Sequence, residues 1–388
     1  MNRTAARQRM TELCTELEQT AREVGRPLCF MEVCGTHTVS ACRSGVHALM
    51  PDTVRLVSGP GCPVCVTAQR HIDALIRLGH IPDVILTTYG DMLRVTGSNG
   101  DSLQKARSEG ADVRVVNSTM DAVDIAKANP TRQVVFASVG FETTAPASAV
   151  AVMAASACTL DNFTIMPAHK LVIPAMLALL QDPDIKVDGF LCPGHVSVII
   201  GSDAYRPVVE QHRKPCVISG FEPLQIMQGV LQLVRQLKDD CPSIENLYPI
   251  AVTPAGNIHA QHALDRVFMP SDTPWRALAT IPDSGLELRP EFARFDALTR
   301  FEITLGEDHE PPGCRCGEVI TGKCLPDECR LFGNVCTPVN PIGPCMVSSE
   351  GSCQAWFKYR RRESSPDKRS TTEVKGHATH PAKIKATS

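Results

Sequence analysis

Seven of the chain's 17 cysteines crowd into one stretch: Cys314, Cys316, Cys324, Cys329, Cys336, Cys345 and Cys353. Three more, Cys34, Cys62 and Cys65, stand far upstream among glycines. The two groups suggest different jobs. A dense run of thiols can wrap a metal centre, whereas single thiols in tight loops are placed to act on something. Within the run, Cys324, Cys329, Cys336 and Cys353 are spaced x4, x6 and x16, with Gly333, Pro338, Pro341, Gly343 and Pro344 between them. Four thiolates converging from irregular backbone suit a cubane iron–sulfur cluster. A structural zinc site also takes four thiolates, but such sites usually present C-x2-C knuckles, and this run has none. Cys314, Cys316 and Cys345 remain as substitute ligands or neighbouring redox thiols.

Upstream, Cys62-Pro63-Val64-Cys65 is a C-x-x-C turn that follows Gly59-Pro60-Gly61 and leads toward a helical pattern over Val66–Leu78. A helix N-terminus stabilises a thiolate, so one of the pair is expected to be acidified and redox-active. Two inert buried thiols are the plainer alternative. Cys34 and His37 share the turn Cys34-Gly35-Thr36-His37-Thr38. Together they offer sulfur and imidazole nitrogen to a soft or borderline metal. A purely structural turn is the competing reading.

The elements that must position these groups follow from periodicity. Short β-branched runs at 28–33, 54–57, 84–88, 113–116, 134–139, 163–166, 189–191, 216–218 and 250–252 alternate with helical stretches. That alternation predicts an α/β fold of parallel βαβ units, with too many strands for one sheet. The expected layout is an N-terminal helix and first α/β domain over 1–125, a second over 126–235, and a C-terminal iron–sulfur segment over 236–360. The polar, basic stretch 361–388 cannot bury a core and reads as a disordered tail. Nearly every strand runs into a turn rich in glycine or carrying Cys or His, among them Gly140-Phe141-Glu142-Thr143-Thr144 and Cys192-Pro193-Gly194-His195. Parallel sheets gather such turns at one edge, where α/β proteins bind ligands. The triplet Gly-Phe-Glu recurs at 140–142 and 220–222, a hint of related halves.

Bulk properties narrow the function classes. A chain of 388 residues with 43% hydrophobic and 21% charged residues is an ordinary soluble protein in composition. Its net charge of −3 gives no reason to expect nucleic acid or an anionic membrane as partner. The first 25 residues lack a signal peptide's apolar core, and no apolar run is long enough to span a bilayer. The expected location is the cytoplasm, where clustered cysteines bind metal or react rather than form structural disulfides.

Taken together, CGTHT at 34–38, GPGCPVC at 59–65, GFETTAP at 140–146, PGHVS at 193–197 and CTPVNPIGPCMVSSEGSCQAWFKY at 336–359 resemble the HypD family of hydrogenase maturation factors. The resemblance spans about residues 10–360. It implies a scaffold, acting with the small chaperone HypC, on which the Fe(CN)2CO group of [NiFe]-hydrogenase is assembled before reaching the hydrogenase large subunit. Cyanide arrives as a thiocyanate on HypE. The resemblance also implies that Cys34 is an iron ligand with His37 beside it. Cys62 and Cys65 become a redox-active dithiol, and the C-terminal cysteines hold a [4Fe-4S] cluster. The chain then reads as a redox-active assembly scaffold rather than a turnover enzyme. A rival reading is a free-standing iron–sulfur thiol–disulfide reductase, which leaves the Cys34 turn without a role.

Overall fold

The protein is described by a computed structural model over residues 3–360. The tail expected at 361–388 lies outside the described residues. The first eight expected strands all form: β1 (Leu28–Glu32), β2 (Val54–Ser58), β3 (Val84–Thr88), β4 (Asp112–Val115), β5 (Gln133–Gly140), β6 (Phe163–His169), β7 (Gly189–Pro193) and β8 (Cys216–Ser219). β3 is buried at every position and β5 at all but its first. Such continuous burial marks parallel strands covered on both faces. β9 is Ile244–Asn246, not the expected 250–252. Pro249 has no N–H for a ladder, and Ile250 is 90% exposed.

These strands make two wholly parallel sheets, ordered β2-β1-β7-β8-β9 and β4-β3-β5-β6. The α/β class with two parallel sheets is therefore observed. The grouping of the chain differs from the sequential division at 125 and 235. The first sheet takes β1 and β2 from the N-terminal part and β7 to β9 from 189–246, while the second is built from the stretch between them. β4 and β5, on opposite sides of residue 125, both pair with β3. Periodicity locates strands but carries no information about which strands pair. The two Gly-Phe-Glu triplets come at equivalent places, one at the end of β5 and one after β8.

An antiparallel hairpin, β10 (Phe268–Trp275) and β11 (Ala279–Leu288), occupies a stretch whose composition reads as irregular. Pro270 and Pro274 look like strand breakers. A two-stranded ribbon has free outer edges, however, where a missing N–H does no harm. Phe268, Leu286 and Leu288 bury themselves with Val134, Phe136 and Phe163 of the second sheet. Among the described residues, no helix is long and apolar enough to cross a membrane.

Candidate functional site

The carboxyl ends of both sheets open onto one cleft of about 530 Å³. Its walls come from the turns after β1, β2, β3, β5 and β7, and from Ser348-Ser349-Glu350 of the C-terminal segment. Cys34 stands two residues past β1 as the N-cap of the helix Gly35–Ser44. Two glycines let other chain segments reach it. A Cβ on Gly61 would lie 2.3 Å from the backbone N and Cα of Cys34, and one on Gly35 would lie 2.5 Å from the carbonyl oxygen of Glu350. Both contacts are with backbone, which cannot swing aside. Gly61→Ala is therefore expected to cost about 1–3 kcal/mol by overpacking and to displace the Cys34 turn. Thermal unfolding of the variant checks the first effect, and metal uptake in the cleft checks the second.

The Cys34 thiol lies 3.7 Å from His195 Nε2. Burial first, then the charge of Glu350, pushes this thiol up to about 12, against backbone and side-chain hydrogen bonds from His37 and Thr36. It is thus a neutral thiol at neutral pH, and a bound metal cation has to displace its proton. His195 is kept neutral by burial and stacks on Phe221 with ring centroids 5.0 Å apart. A neutral imidazole beside a thiol is a fitting donor pair for a transition metal.

His37, expected beside the iron, faces elsewhere. It is fully buried, donates from Nε2 to the Gly220 carbonyl oxygen at 3.0 Å, and packs at 4.7 Å on Phe221, the ring on which His195 also stacks. Burial depresses it to about 4, so it stays neutral. Its role in this geometry is to pin the Cys34 helix to the loop after β8. The His37 ring is taken up by the Gly220 carbonyl oxygen and Phe221, whereas His195 arrives from β7, the strand adjacent to β1. His195 was visible in the sequence only as one more histidine in a strand-end turn. Asp91 stands in the sequence only as part of the strand-end turn Gly90-Asp91, and Glu350 only within the 336–359 motif. Thr36 Oγ1 donates to Glu350 Oε1 at 2.8 Å. Asp91 Oδ2 accepts from the Ser349 N–H at 2.8 Å and from both serine hydroxyls, so the C-terminal segment is tied to both sheets.

Cys62 and Cys65 are joined as a disulfide, with Cα atoms 5.2 Å apart, at the foot of the cleft beside Pro63 and Val64. The long helix expected directly after them is divided. A single turn, Pro63–Val66, ends at Thr67, and the next helix runs over Gln69–Gly79. Thr67 leaves the helix because its backbone bridges to Trp275 of the hairpin. Only one turn of helix dipole therefore acts on Cys62.

Behind this turn lies a cavity walled by Cys314, Cys316, Cys329, Cys336, Cys345 and Cys353. Leu331, Phe332 and Met346 complete an apolar lining. Three of the four thiols expected from spacing are present. Cys324 does not line it, whereas Cys314, Cys316 and Cys345 do. The helix Cys316–Ile320 and the left-handed Gly322 turn the chain, so Cys324 is buried within reach of Arg315, Glu318, Glu328 and the cavity thiol Cys329. Burial, followed by the neighbouring Cys316, pushes the Cys314 thiol up to about 12. Thiols that oppose one another's ionisation in a dry cavity fit a cationic centre of soft character, as iron–sulfur clusters are. No three His, Cys, Asp or Glu side chains among the described residues converge as ligands of one metal ion do. The cysteines instead line the walls. Cys316 Sγ and Cys345 Sγ are 2.8 Å apart, and their helices both pack on the Pro63–Val66 turn.

Comparison with known proteins adds a family. A family model named HypD, described as "Hydrogenase formation hypA family", matches residues 8–360. The chain is 45% identical over 356 residues to "Hydrogenase maturation factor HypD" of Escherichia coli (strain K12), covering 92% of this chain and 94% of that protein. It is 47% identical over 339 residues to the protein of the same name from Rhizobium leguminosarum bv. viciae, covering 86% and 88%. To the one from Cupriavidus necator it is 42% identical over 365 residues, covering 92% and 96%.

Proposed function

Because the chain belongs to the HypD family of hydrogenase maturation factors, we propose that it is the scaffold on which an iron atom acquires its cyanide and carbonyl ligands. In this reading a HypC-like chaperone supplies a second thiolate to the iron, and a HypE-like donor delivers cyanide as a thiocyanate. The finished Fe(CN)2CO unit then passes toward the hydrogenase large subunit. We assign this work to the cytoplasm, whose reducing conditions keep such thiols available. The observation that carries the reading is the shared cleft. Cys34, His195 and the Cys62–Cys65 turn border one space, and the segment closing it leads directly into the cysteine-lined cavity.

The chemistry balances. Releasing cyanide from R–S–CN needs two electrons and one proton, giving R–SH and cyanide ion. When Cys62 and Cys65 are dithiol, their two S–H bonds break and an S–S bond forms. Two electrons pass to the donor sulfur, which leaves as a thiol, and cyanide ion and one proton are set free. Cys34, holding iron with His195 adjacent, offers cyanide an immediate acceptor. A [4Fe-4S] cluster in the rear cavity would supply electrons one at a time to restore the dithiol. Cys314, Cys329, Cys336 and Cys353 would hold it. Cys316 and Cys345, packed on the Cys62–Cys65 turn, stand between cavity and cleft.

The ligand set is testable directly. Cys314→Ser is expected to reduce iron and acid-labile sulfide in anaerobically isolated protein to background, whereas Cys324→Ser keeps both. The opposite outcome would restore the set expected from spacing. Stoichiometric zinc without iron in the unaltered chain would remove the cluster altogether.

A further inference from the structure

Cys345 and Cys353 ride on the helices Pro344–Val347 and Ser352–Tyr359, which are joined by the strap Ser348–Gly351. Both thiols line the rear cavity, while Ser348, Ser349 and Glu350 line the cleft. One short piece of chain is therefore shared by the walls of both spaces. It has little slack. The Gly351 N–H donates to the Ser348 carbonyl oxygen at 2.9 Å, and a Cβ on Gly351 would lie 2.1 Å from the Cys345 carbonyl oxygen.

Each sheet grips this strap. From the turn after β3, Asp91 Oδ2 holds Ser348 and Ser349, and Arg94 Nη2 donates to the Val347 carbonyl oxygen at 3.2 Å. On the side of the first sheet, Thr36 holds the Glu350 carboxylate, and Gly35, lacking a Cβ, lets the Glu350 backbone pack against it. The last helix makes a second connection to the same element. Its Ala355 and Trp356 are buried together with Cys42 of the helix Gly35–Ser44, whose N-cap is Cys34. Whatever fixes Cys353 in place thus bears on the Cys34 turn by two routes. A metal–thiolate bond does fix its ligand, because metal binding is coupled to ordering of the chain that carries the ligands.

We propose that the strap is a mechanical link between the two sites: a centre held through Cys353 seats the strap on Asp91, and the seated strap brings Glu350 and the Cys34 helix into the arrangement that holds iron. This rests on the reading that the cavity holds an iron–sulfur cluster. Asp91 is a positioning residue in this device, acting through Ser348 and Ser349. The consequence is an order of events. The cleft becomes a complete site only in a chain already equipped to supply electrons.

The test reads the strap without metal in the cleft. The full-length chain, isolated anaerobically with its iron and sulfide or stripped of them by chelator, is treated with N-ethylmaleimide. Modification of each cysteine is followed by peptide mass spectrometry. Cys34, 3% exposed, reports the strap, and Cys192, wholly buried in β7, reports opening of the sheet itself. Loading is expected to slow modification of Cys34 about tenfold, an effect of the size usual for coupling between two sites. In Asp91→Ala, which keeps its iron and sulfide, that difference is expected to vanish, with Cys34 reacting at the fast rate in both states. Asp91→Asn, whose amide oxygen can still accept from Ser348 and Ser349, is expected to restore most of it. Equal Cys34 rates in the loaded and stripped unaltered chain overturn the proposal, as does a difference that survives in Asp91→Ala. An alanine variant in which Cys34 and Cys192 speed up together has merely loosened, and overturns it too. An unaltered chain that takes up no iron and sulfide overturns the cluster reading instead, and this proposal with it.

Discussion

Replacing Cys34 with alanine is expected to leave a folded chain that keeps its C-terminal iron and sulfide but shows no infrared bands of iron-bound cyanide and carbonyl. Truncating one small buried side chain costs on the order of 1 kcal/mol, well inside the stability of a domain of this size. The cysteine cavity uses other residues, so its metal should be untouched. The cleft, in contrast, loses its thiol donor. His195 is then left without the sulfur 3.7 Å from its Nε2. The effect should be complete rather than partial, since a single neutral imidazole is a poor anchor for iron in an open cleft. Infrared spectra of the complex with the small chaperone, paired with iron and sulfide counts, separate the two sites. Undiminished bands in the variant would remove Cys34 from the chemistry and favour a free-standing thiol reductase.

Cys62→Ser should give the complementary phenotype: iron still bound in the cleft, and no cyanide delivered to it. Serine leaves Cys65 a lone thiol, which cannot take up two electrons' worth of oxidation as an intramolecular disulfide. The pair is joined in the structure with Cα atoms 5.2 Å apart, a separation suited to closing and opening without large backbone movement. Cyanide release from a thiocyanate-bearing peptide, assayed in solution with the dithiol pre-reduced, should fall by at least about two orders of magnitude. Release at the normal rate from the variant would show that another thiol performs the reduction. Cys316 and Cys345, in contact at 2.8 Å, would then be the pair to alter next.

The strand ladder and the strand-end turns were legible because each fully buried parallel strand writes an uninterrupted β-branched run. Val84–Thr88 and the runs on either side of it leave little else to form. Three things were not legible, each for a physical reason. Pairing across sheets is a long-range property, so the return of β7 to lie beside β1 cannot be seen in local pattern. That return is what brings His195, rather than His37, to the Cys34 thiol. Spacing gives loop lengths but not loop directions, so it favours Cys324 as a ligand, whereas the Cys316–Ile320 helix lies between Cys314, which lines the cavity, and Cys324, which does not. The hairpin hid because Pro270 and Pro274 announce breaks, although the ribbon tolerates both. The closing segment Ser348–Glu350 was legible only as part of a motif, since its partners Asp91 and Thr36 lie far away in the chain.

The central claim is that one cleft both holds the iron and receives the cyanide. It is tested most directly by supplying the iron-loaded complex with a donor thiocyanate labelled in its carbon, and recording the infrared spectrum. The expected result is a pair of iron-bound cyanide bands displaced to lower frequency by the heavier carbon, present in the unaltered chain and absent in Cys34→Ala. Labelled cyanide appearing free in solution, with no displaced bands on iron in the unaltered chain, would contradict it.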